Sequence, residues 1–385
     1  MANRILNKPI RIGKMELKNR MAFPPMNTNF TNENGAVTEL MMEYYSKRAK
    51  GGASLVTVEA ATIDQFSRNH GAQPRLHESA LIGGWSRLVD RVHRYGAKIS
   101  IELVHYGSEC TVNDDNFVSA SNVTSISPYR EVHEMTLEEI RIMQQSYVDA
   151  IVMAKKAGFD AITYHAAHGN IMPQFFSEMF NKRTDWYGGS LTNRARFARE
   201  IVEMSREAVG PGFPLIMRIS GEEYYTAGRK IDETVEICKI MEQAGIDAFD
   251  ISGGIGTSYL FSISPGNFPG ITGFMMPNAK AIKNAVSVPV IAAGGVRDPE
   301  YAEELLQGGF ADVISIGRSF IADPDFGLKA LYGKEQDIRP CISCNNCLME
   351  IDQDRILTCT VNAQAGREDY FCGIAKAETK KKILV

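Results

Sequence analysis

The chain of 385 residues lacks several features that would assign it to a large class of proteins. No run of about eighteen apolar residues occurs, and the first residues do not form the apolar core of a signal peptide. The formal charge is only -4, from 42 Lys and Arg against 46 Asp and Glu, so no general attraction to polyanions is expected. We therefore expect a cytoplasmic protein that binds neither a membrane nor nucleic acid.

The common nucleotide-binding motifs are absent as well. Neither G-x-G-x-x-G nor G-x-x-x-x-G-K-[ST] occurs anywhere in the chain. A nucleotide bound by this chain would therefore have to be held by a different architecture.

Short apolar, β-branched runs alternate with longer amphipathic segments along most of the chain. This alternation is typical of parallel β/α architecture, and the continuous apolarity of the runs indicates strands buried on both faces. The predicted strands are 21–26, 54–60, 98–104, 161–166, 214–220, 248–252, 288–294 and 312–317. The predicted helices are 38–50, 78–95, 136–157, 192–209, 230–244, 275–286, 298–308 and 319–331. Eight such units predict a TIM (β/α)8 barrel over residues 1–335, with a doubly wound sheet as the second choice.

The ends of the seventh and eighth predicted strands carry a pattern that suits a phosphate group. Gly294 and Gly295 follow the seventh strand, and Gly317 and Arg318 follow the eighth. Glycine leaves backbone N–H groups accessible, and the arginine supplies positive charge beside them. Because TIM barrels commonly bind phosphate in these two loops, we expect a phosphate site here.

Four of the seven cysteines are clustered near the end of the chain. They are Cys341, Cys344, Cys347 and Cys359, spaced as C-x2-C-x2-C-x11-C. Zinc sites usually divide their thiolates between two separate C-x2-C pairs, whereas three close cysteines and a remote fourth suit a [4Fe-4S] cluster. We expect a cysteine-rich iron-sulfur extension over residues 336–385, with zinc as the alternative.

Polar residues occur at the ends of two other predicted strands. His165 and His168 follow the fourth strand, where two imidazoles can donate hydrogen bonds to one oxyanion. Arg218 places a permanent charge in the otherwise apolar fifth strand and needs a buried anion or an electron-rich partner there. We predict that these three side chains belong to one active site, with a core salt bridge as the alternative for Arg218.

The residues around these positions resemble a known family. The run His165-Ala-Ala-His168-Gly169, followed by Asn-Lys-Arg-Thr-Asp-Trp-Tyr-Gly-Gly-Ser at 181–190, is similar to the Old Yellow Enzyme family of FMN-dependent ene-reductases. With the cysteine loop, the chain resembles the multidomain iron-sulfur branch of 2,4-dienoyl-CoA reductase, clostridial enoate reductases and bile-acid enoyl reductases. The terminal Lys-Lys-Ile-Leu-Val resembles the start of a FAD- and NAD(P)H-binding domain, so we expect the chain to be cut before that domain.

The resemblance implies roles for residues that the pattern alone does not single out. Pro25, Met26, Asn27 and Ala60 would line the flavin ring, and Arg218 would approach its N1 and C2 carbonyl. The glycines and Arg318 would hold the FMN phosphate. The histidine pair would bind the carbonyl that activates the alkene, to which reduced flavin N5 delivers hydride. An electron donor domain or a separate reductase would be the partner.

Two positions depart from the family pattern. Glu102 stands where the family's third strand usually offers Gln to the flavin pyrimidine edge. Asn170 stands at the usual position of the tyrosine that protonates the substrate, and an amide is not a general acid. The tyrosines in loops at the same barrel end are Tyr106, Tyr225 and Tyr259, of which we favour Tyr259 because its loop is rich in glycine.

Two other functions are open to a chain of this kind. An amine dehydrogenase similar to trimethylamine dehydrogenase would share the cysteine spacing, but its cationic substrate favours aromatic side chains. The two tryptophans, Trp85 and Trp186, do not lie at predicted strand ends. A non-catalytic electron-transfer protein would not need the histidine pair. The sequence does not identify the alkene, and it leaves open whether the protein is a monomer or a homo-oligomer.

Overall fold

The computed structural model describes residues 4–111, 117–123, 131–255, 273–371 and 378–382. Its strands, in chain order, are β1 (Ile10–Ile12), β2 (Met15–Leu17), β3 (Met21–Phe23), β4 (Leu55–Thr62), β5 (Lys98–Val104), β6 (Val118–Ser119), β7 (His133–Glu134), β8 (Ala161–Ala166), β9 (Leu215–Ser220), β10 (Ala248–Ser252), β11 (Val290–Ala293) and β12 (Val313–Ser315). Eight of them, β3, β4, β5 and β8 to β12, pair in parallel in that order and close into a barrel. The predicted TIM barrel is confirmed, and the doubly wound alternative is wrong.

Helices surround this barrel. They are α1 (Glu39–Lys50), α2 (Ile82–His93), α3 (Leu137–Ala157), α4 (Ile171–Phe176), α5 (Leu191–Val209), α6 (Ile231–Ala244), α7 (Met276–Lys283), α8 (Pro299–Gln307), α9 (Arg318–Ala322), α10 (Phe326–Leu331), α11 (Asn346–Asp352) and α12 (Glu368–Phe371). The sequence fixes several helix ends locally: Thr136 and Glu139 form a capping box before α3, and Gly158 ends it in the left-handed conformation at φ 95°. The helix predicted over 319–331 is instead two helices, because Pro324 lies between α9 and α10 and cannot continue a helix.

A hairpin that the sequence pattern did not reveal closes the amino-terminal end of the barrel. Strands β1 and β2 pair antiparallel, and their apolar side chains pack against the first residues of the barrel strands. The cluster consists of Ile12, Met15, Leu17, Ala22, Leu55, Ala161, Ile216, Ala248, Ile291 and Val313. These contacts fill this end of the barrel with apolar side chains.

The cysteine-rich segment packs on the barrel through apolar and polar contacts. Ile351 and Leu357 belong to the same hydrophobic core as the barrel helices. The Leu357 N–H donates to the Thr28 carbonyl over 2.9 Å, directly after the first barrel strand. Arg48 of α1 and Glu368 of α12 form a fully buried ion pair at 2.7 Å. The segment is therefore tied to the barrel at the loop that follows β3.

In the part of the chain that the structure covers, none of the helices combines the length and the apolarity needed to cross a bilayer.

Candidate active site

A cavity of about 770 Å³ opens at the carboxyl ends of the barrel strands. Because parallel strands all end at this face, the loops that follow them meet around one space. The lining includes the residues predicted to bind the cofactor: Pro25, Met26, Asn27, Ala60, Glu102, Arg218, Gly294, Gly295, Gly317 and Arg318. His165 and His168 also line it. The structure thus brings together the sequence-predicted cofactor and histidine residues, while Tyr259 lies outside the described residues.

The glycines after β11 and β12 leave a cradle that no side chain could share. Gly294 and Gly295 have φ values of 130° and 71°, which only glycine adopts without strain. A Cβ atom at Gly317 would lie 2.8 Å from the Met26 sulfur. Arg297 and Arg318 line the cavity beside these glycines. Bare backbone and two guanidinium groups form a setting that fits a phosphate ester, so this end of the cavity suits the phosphate of FMN.

Four ionisable side chains lie close together beside the cavity: Glu102, His165, Arg218 and Asp250. Arg218 Nη1 lies 3.8 Å from Glu102 Oε1, and Arg218 Nε lies 3.7 Å from Asp250 Oδ2. His165 Nδ1 lies 3.9 Å from the same Glu102 oxygen. These distances are too long for hydrogen bonds. Arg218 donates a hydrogen bond to the Pro25 carbonyl over 3.2 Å.

Several polar atoms of this cluster have no hydrogen-bond partner among the described residues. They are Glu102 Oε1, His165 Nδ1, Arg218 Nε and Asp250 Oδ1. A buried polar atom without a partner costs roughly 1–3 kcal/mol, and native proteins rarely leave several together. The cluster therefore fits a polar ligand, and the carbonyl and N–H groups of a flavin pyrimidine ring could meet these atoms.

Burial sets the charge of the groups in this wall. It raises the pKa of Glu102 to about 8, with Arg218 opposing the rise and Asp250 adding to it. Burial also raises the pKa of Asp250, against the lowering effect of Arg218. The pKa values of His165 and His168 are held well below the ordinary value by burial, and Arg218 lowers both further. Both imidazoles are therefore neutral at physiological pH.

The two histidines form a chain of polar contacts across the strand ends. His168 Nδ1 lies 3.3 Å from His165 Nε2, and His168 Nε2 lies 2.7 Å from the Ser252 hydroxyl. His168 has a φ of 65°, a left-handed conformation that is uncommon for a side chain of this size. The rings lie edge to face, with centroids 4.9 Å apart and 87° between their planes, and His165 Nδ1 has no hydrogen-bond partner among the described residues. The pair is a strained, neutral donor-acceptor unit at the cavity wall.

The candidates for the proton donor are placed differently. Tyr106 lines the cavity, and its hydroxyl accepts a hydrogen bond from Gln73, which also donates to the Ala60 carbonyl over 2.8 Å. Tyr225 does not line the cavity. Asn170 does line the cavity, with 4% of its surface exposed. Among the described tyrosines, only Tyr106 is therefore placed to reach a ligand.

The four clustered cysteines line a second, smaller cavity beside the first. Cys341, Cys344, Cys347 and Cys359 surround a space of about 20 Å³, and Arg318 lines both cavities. Burial raises the pKa of Cys347 to about 11, so its thiol would be protonated without a metal. Among the described residues, no three His, Cys, Asp or Glu side chains converge tightly enough for one metal ion. A [4Fe-4S] cluster does not require such convergence, because its four thiolates bind different iron atoms.

Two residues of the site escaped the sequence analysis. Asp250 lies in the apolar run of β10 and pairs across the sheet with Arg218 of β9. Arg218 was recognised because it is a charged residue in a buried apolar strand. Asp250 is also a charged residue in such a strand, so the same criterion could have identified it. Arg297 follows the glycine pair of the seventh strand and donates to the Ser343 hydroxyl over 3.2 Å. It could have been recognised as a second cation at the phosphate loop.

The fold and site agree with the comparison to known proteins. Residues 5–337 match the NADH:flavin oxidoreductase / NADH oxidase family. The chain belongs to this family of flavin-dependent oxidoreductases, and this membership supports FMN as the cofactor.

Particular relatives extend over nearly the whole chain. The NADH oxidase of Thermoanaerobacter brockii is 39% identical over 97% of this chain and 58% of its own length. The cinnamate reductase of Clostridium sporogenes is 33% identical over 99% of this chain and 61% of its own length. This chain thus spans about three fifths of each of these relatives.

Two solved structures are similar as well. A 2-naphthoyl-CoA reductase in complex with 2-naphthoyl-CoA superposes with a TM-score of 0.88 at 31% identity, covering 94% of this chain and 58% of that one. Histamine dehydrogenase from Rhizobium sp. 4-9 superposes with a TM-score of 0.86 at 29% identity, covering 94% and 53%. Because 94% of this chain is covered in both cases, the structural similarity extends beyond the barrel.

Proposed function

We propose that this chain reduces an activated C=C bond, that of an α,β-unsaturated carbonyl compound, acid or thioester, with FMN as the hydride donor. The observation that carries the proposal is the neutral pair His165 and His168, placed at the cavity wall beside Arg218. Neutral imidazoles donate hydrogen bonds without a formal charge of their own. They suit a carbonyl oxygen that gains negative charge as the bond is reduced.

Each part of the cavity has a task under this proposal. FMN supplies hydride transfer, a reaction that no protein side chain performs. Gly294, Gly295, Gly317 and Arg318 would hold its phosphate, while Pro25, Met26, Asn27 and Ala60 would line its ring. Glu102 and Arg218 would face its polar edge. The carbonyl of the substrate would lie against the histidines, and a proton would reach the neighbouring carbon from Tyr259 or Tyr106.

We further propose that Cys341, Cys344, Cys347 and Cys359 bind a [4Fe-4S] cluster that passes electrons to the flavin. Their placement around one small cavity supports this, as does the sharing of Arg318, Cys341 and Cys347 with the large cavity. Electrons would arrive from a donor domain or a separate reductase. Iron and acid-labile sulfide in anaerobically purified protein test the assignment, and zinc without iron would contradict it.

Amine oxidation is the second candidate, because histamine dehydrogenase is a structural neighbour. A cationic amine is favoured by aromatic faces. Among the described residues, Tyr106 is the only Phe, Tyr or Trp in the cavity lining. Trp85 is fully buried elsewhere, and Trp186 is 59% exposed. The cavity wall therefore suits an oxyanion better than a cation.

One anaerobic experiment separates these functions. Protein reduced with dithionite is mixed with cinnamate, an enoyl thioester or an enone, and the absorbance of oxidised flavin is followed. An ene-reductase regains this absorbance with at least one alkene. If no alkene restores it and histamine bleaches the oxidised protein, amine oxidation is the function. If neither class of compound reacts, the result contradicts both catalytic candidates and favours electron transfer.

A further inference from the structure

Two carboxylates and a single guanidinium lie close together beside the cavity. Glu102 of β5 and Asp250 of β10 both lie near Arg218 of β9, and all three are at least nine-tenths buried. If both acids were ionised, the cluster would carry a net negative charge in a site largely removed from water. Such a charge is unfavourable unless a proton neutralises it. The arrangement therefore holds one proton more than two free carboxylates would at neutral pH.

The proton is not shared equally between the two acids. Aspartic acid is intrinsically the stronger acid. Asp250 lies near Arg218 Nε, which has no other acceptor among the described residues, whereas Glu102 lies near Nη1, which already donates to the Pro25 carbonyl. Glu102 is thus the less stabilised carboxylate, and it is the one that lines the cavity.

The geometry points to Glu102 as an un-ionised carboxylic acid that donates a hydrogen bond to a carbonyl oxygen of the bound flavin, with Asp250 as the carboxylate that balances Arg218. This inference rests on the proposed binding of FMN in the cavity. A protonated Glu102 would donate a hydrogen bond as the amide of Gln does. Unlike an amide, it stops donating when it loses its proton at higher pH.

The other groups around Glu102 do not alter this assignment. His165 of β8 is neutral and lies 3.9 Å away, so it supplies no charge. Glu59 of β4 faces the outer layer, where it accepts hydrogen bonds from Thr28 and Tyr45. Tyr147 of α3 has its pKa raised far above neutrality by burial, so it is uncharged. Arg218 and Asp250 are the charged neighbours that remain.

A donor that can ionise makes flavin affinity depend on pH. The pKa of Glu102 without a ligand is about 8. A hydrogen bond donated to the flavin favours the protonated form, so binding raises this pKa. The affinity for FMN should then fall as pH rises through 8, and it should be about tenfold weaker at pH 9 than at pH 7. If Glu102 were instead an ionised acceptor for a flavin N–H, affinity would rise over this interval.

The experiment measures release of FMN from the purified holoprotein. Serial dilution at pH 7, 8 and 9 gives the dissociation constant from the fluorescence that free FMN regains. The wild type should show the tenfold weakening, and Glu102→Gln, which keeps a donor that cannot ionise, should not. Asp354→Asn changes another carboxylate of the cavity lining and should keep the wild-type pH dependence. Equal pH dependence in wild type and Glu102→Gln would overturn the inference.

Two further measurements keep the test decisive if a variant loses its fold. Infrared difference spectra of the wild type, recorded on flavin reduction, should contain a carboxylic acid C=O band that Glu102→Gln lacks. Asp250→Asn removes the negative charge that competes with Glu102 for Arg218. The pKa of Glu102 should therefore fall, and the pH at which FMN affinity drops should become lower. Absence of the acid band in a folded, flavin-loaded wild type contradicts the inference and leaves the proposed function standing. Protein that binds no FMN at all contradicts both.

Discussion

The two ends of the same barrel strands differ in what they bury. The amino-terminal end buries the apolar cluster of the β1–β2 hairpin, in which Ile12 and Leu17 are completely inaccessible. The carboxyl-terminal end buries Glu102, Arg218 and Asp250, and several of their polar atoms have no hydrogen-bond partner among the described residues. One end is complete without a ligand, and the other is not.

This difference separates stability from function along each strand. Apolar packing at the closed end lowers the free energy of the folded state directly. Charges at the open end cost free energy in the empty protein, and a ligand with matching polar groups recovers that cost on binding. Substitutions at the closed end should therefore change unfolding, whereas substitutions at the open end should change binding and reaction rates.

The largest effect is expected from a substitution that creates a cavity at the closed end of the barrel, where the β1–β2 hairpin packs. Leu17→Ala removes buried side-chain volume from the hairpin cluster and should lower the free energy of unfolding by about 2–5 kcal/mol. Urea titration measures the loss. The variant that remains folded should react with alkenes at the wild-type rate. Glu16→Ala, at an exposed position of the same strand, is the control and should change stability by about 1 kcal/mol or less. A slowed reaction in folded Leu17→Ala would contradict the separation.

At the open end, His165→Ala and His168→Ala should each slow reoxidation of the reduced protein by an alkene. Loss of one donor to a developing oxyanion typically costs about 2.7–4 kcal/mol, a factor of about 10² to 10³. Stopped-flow absorbance gives the rate, and flavin content should stay normal. His133→Ala, at an exposed position that does not line the cavity, should have no effect. Loss of FMN with an unchanged rate per bound flavin would assign the pair to cofactor binding.

The barrel strands and the residues that gather at their carboxyl ends could be predicted from the sequence, for physical reasons. Buried parallel strands are continuously apolar, so the barrel strands stood out with boundaries close to those observed. Residues at or directly after the carboxyl ends of such strands must gather at one face, so the sequence alone predicts that His165, Gly294 and Arg318 lie around one cavity, as the structure shows.

The remainder depends on distances in space that sequence spacing does not determine. The hairpin strands β1 and β2 have three residues each, too short for a periodicity to be recognised. The pairing of Arg218 with two acids follows from the register of three strands that are far apart in sequence. The roles of the site residues and the boundary at residue 335 stay predictions.

Glu59 of β4 and Glu102 of β5 are two buried glutamates on neighbouring strands, and they differ in whether the protein itself supplies their hydrogen-bond partners. Unlike Glu102, Glu59 has protein partners for both oxygens, Thr28 and Tyr45. Burial nevertheless raises the pKa of Glu59 to about 7 from an ordinary value of 4.5. The folded state thus binds this proton more tightly than the unfolded state, so the contribution of Glu59 to stability is fully present below pH 4.5 and is lost as pH rises towards 7.

This titration should affect folding rather than flavin binding. The shift corresponds to a loss of about 3 kcal/mol across the interval from pH 4.5 to 7. Glu59→Gln removes that contribution, so its free energy of unfolding relative to wild type should increase with pH over the same interval. Urea titrations of both proteins at several pH values measure the difference, in which the titration of Glu102 cancels. A constant difference would show that Glu59 is not perturbed.

The smallest effect should come from Ser252, which acts on the reaction through His168. Its hydroxyl lies 2.7 Å from His168 Nε2, so it helps to fix which ring nitrogen carries the proton. Ser252→Ala removes one hydrogen bond, worth about 0.5–1.5 kcal/mol, and should slow reoxidation by an alkene about two- to tenfold with normal flavin content. Ser100→Ala is the matched control, because this serine is equally buried in the barrel interior but pairs with Thr163 over 2.9 Å. Both variants lose a buried hydroxyl and should lose similar stability, yet only Ser252→Ala should react more slowly. Equal slowing of the two variants would mean that the barrel interior affects the rate through packing, and that the open end is not set apart by the orientation of its histidines.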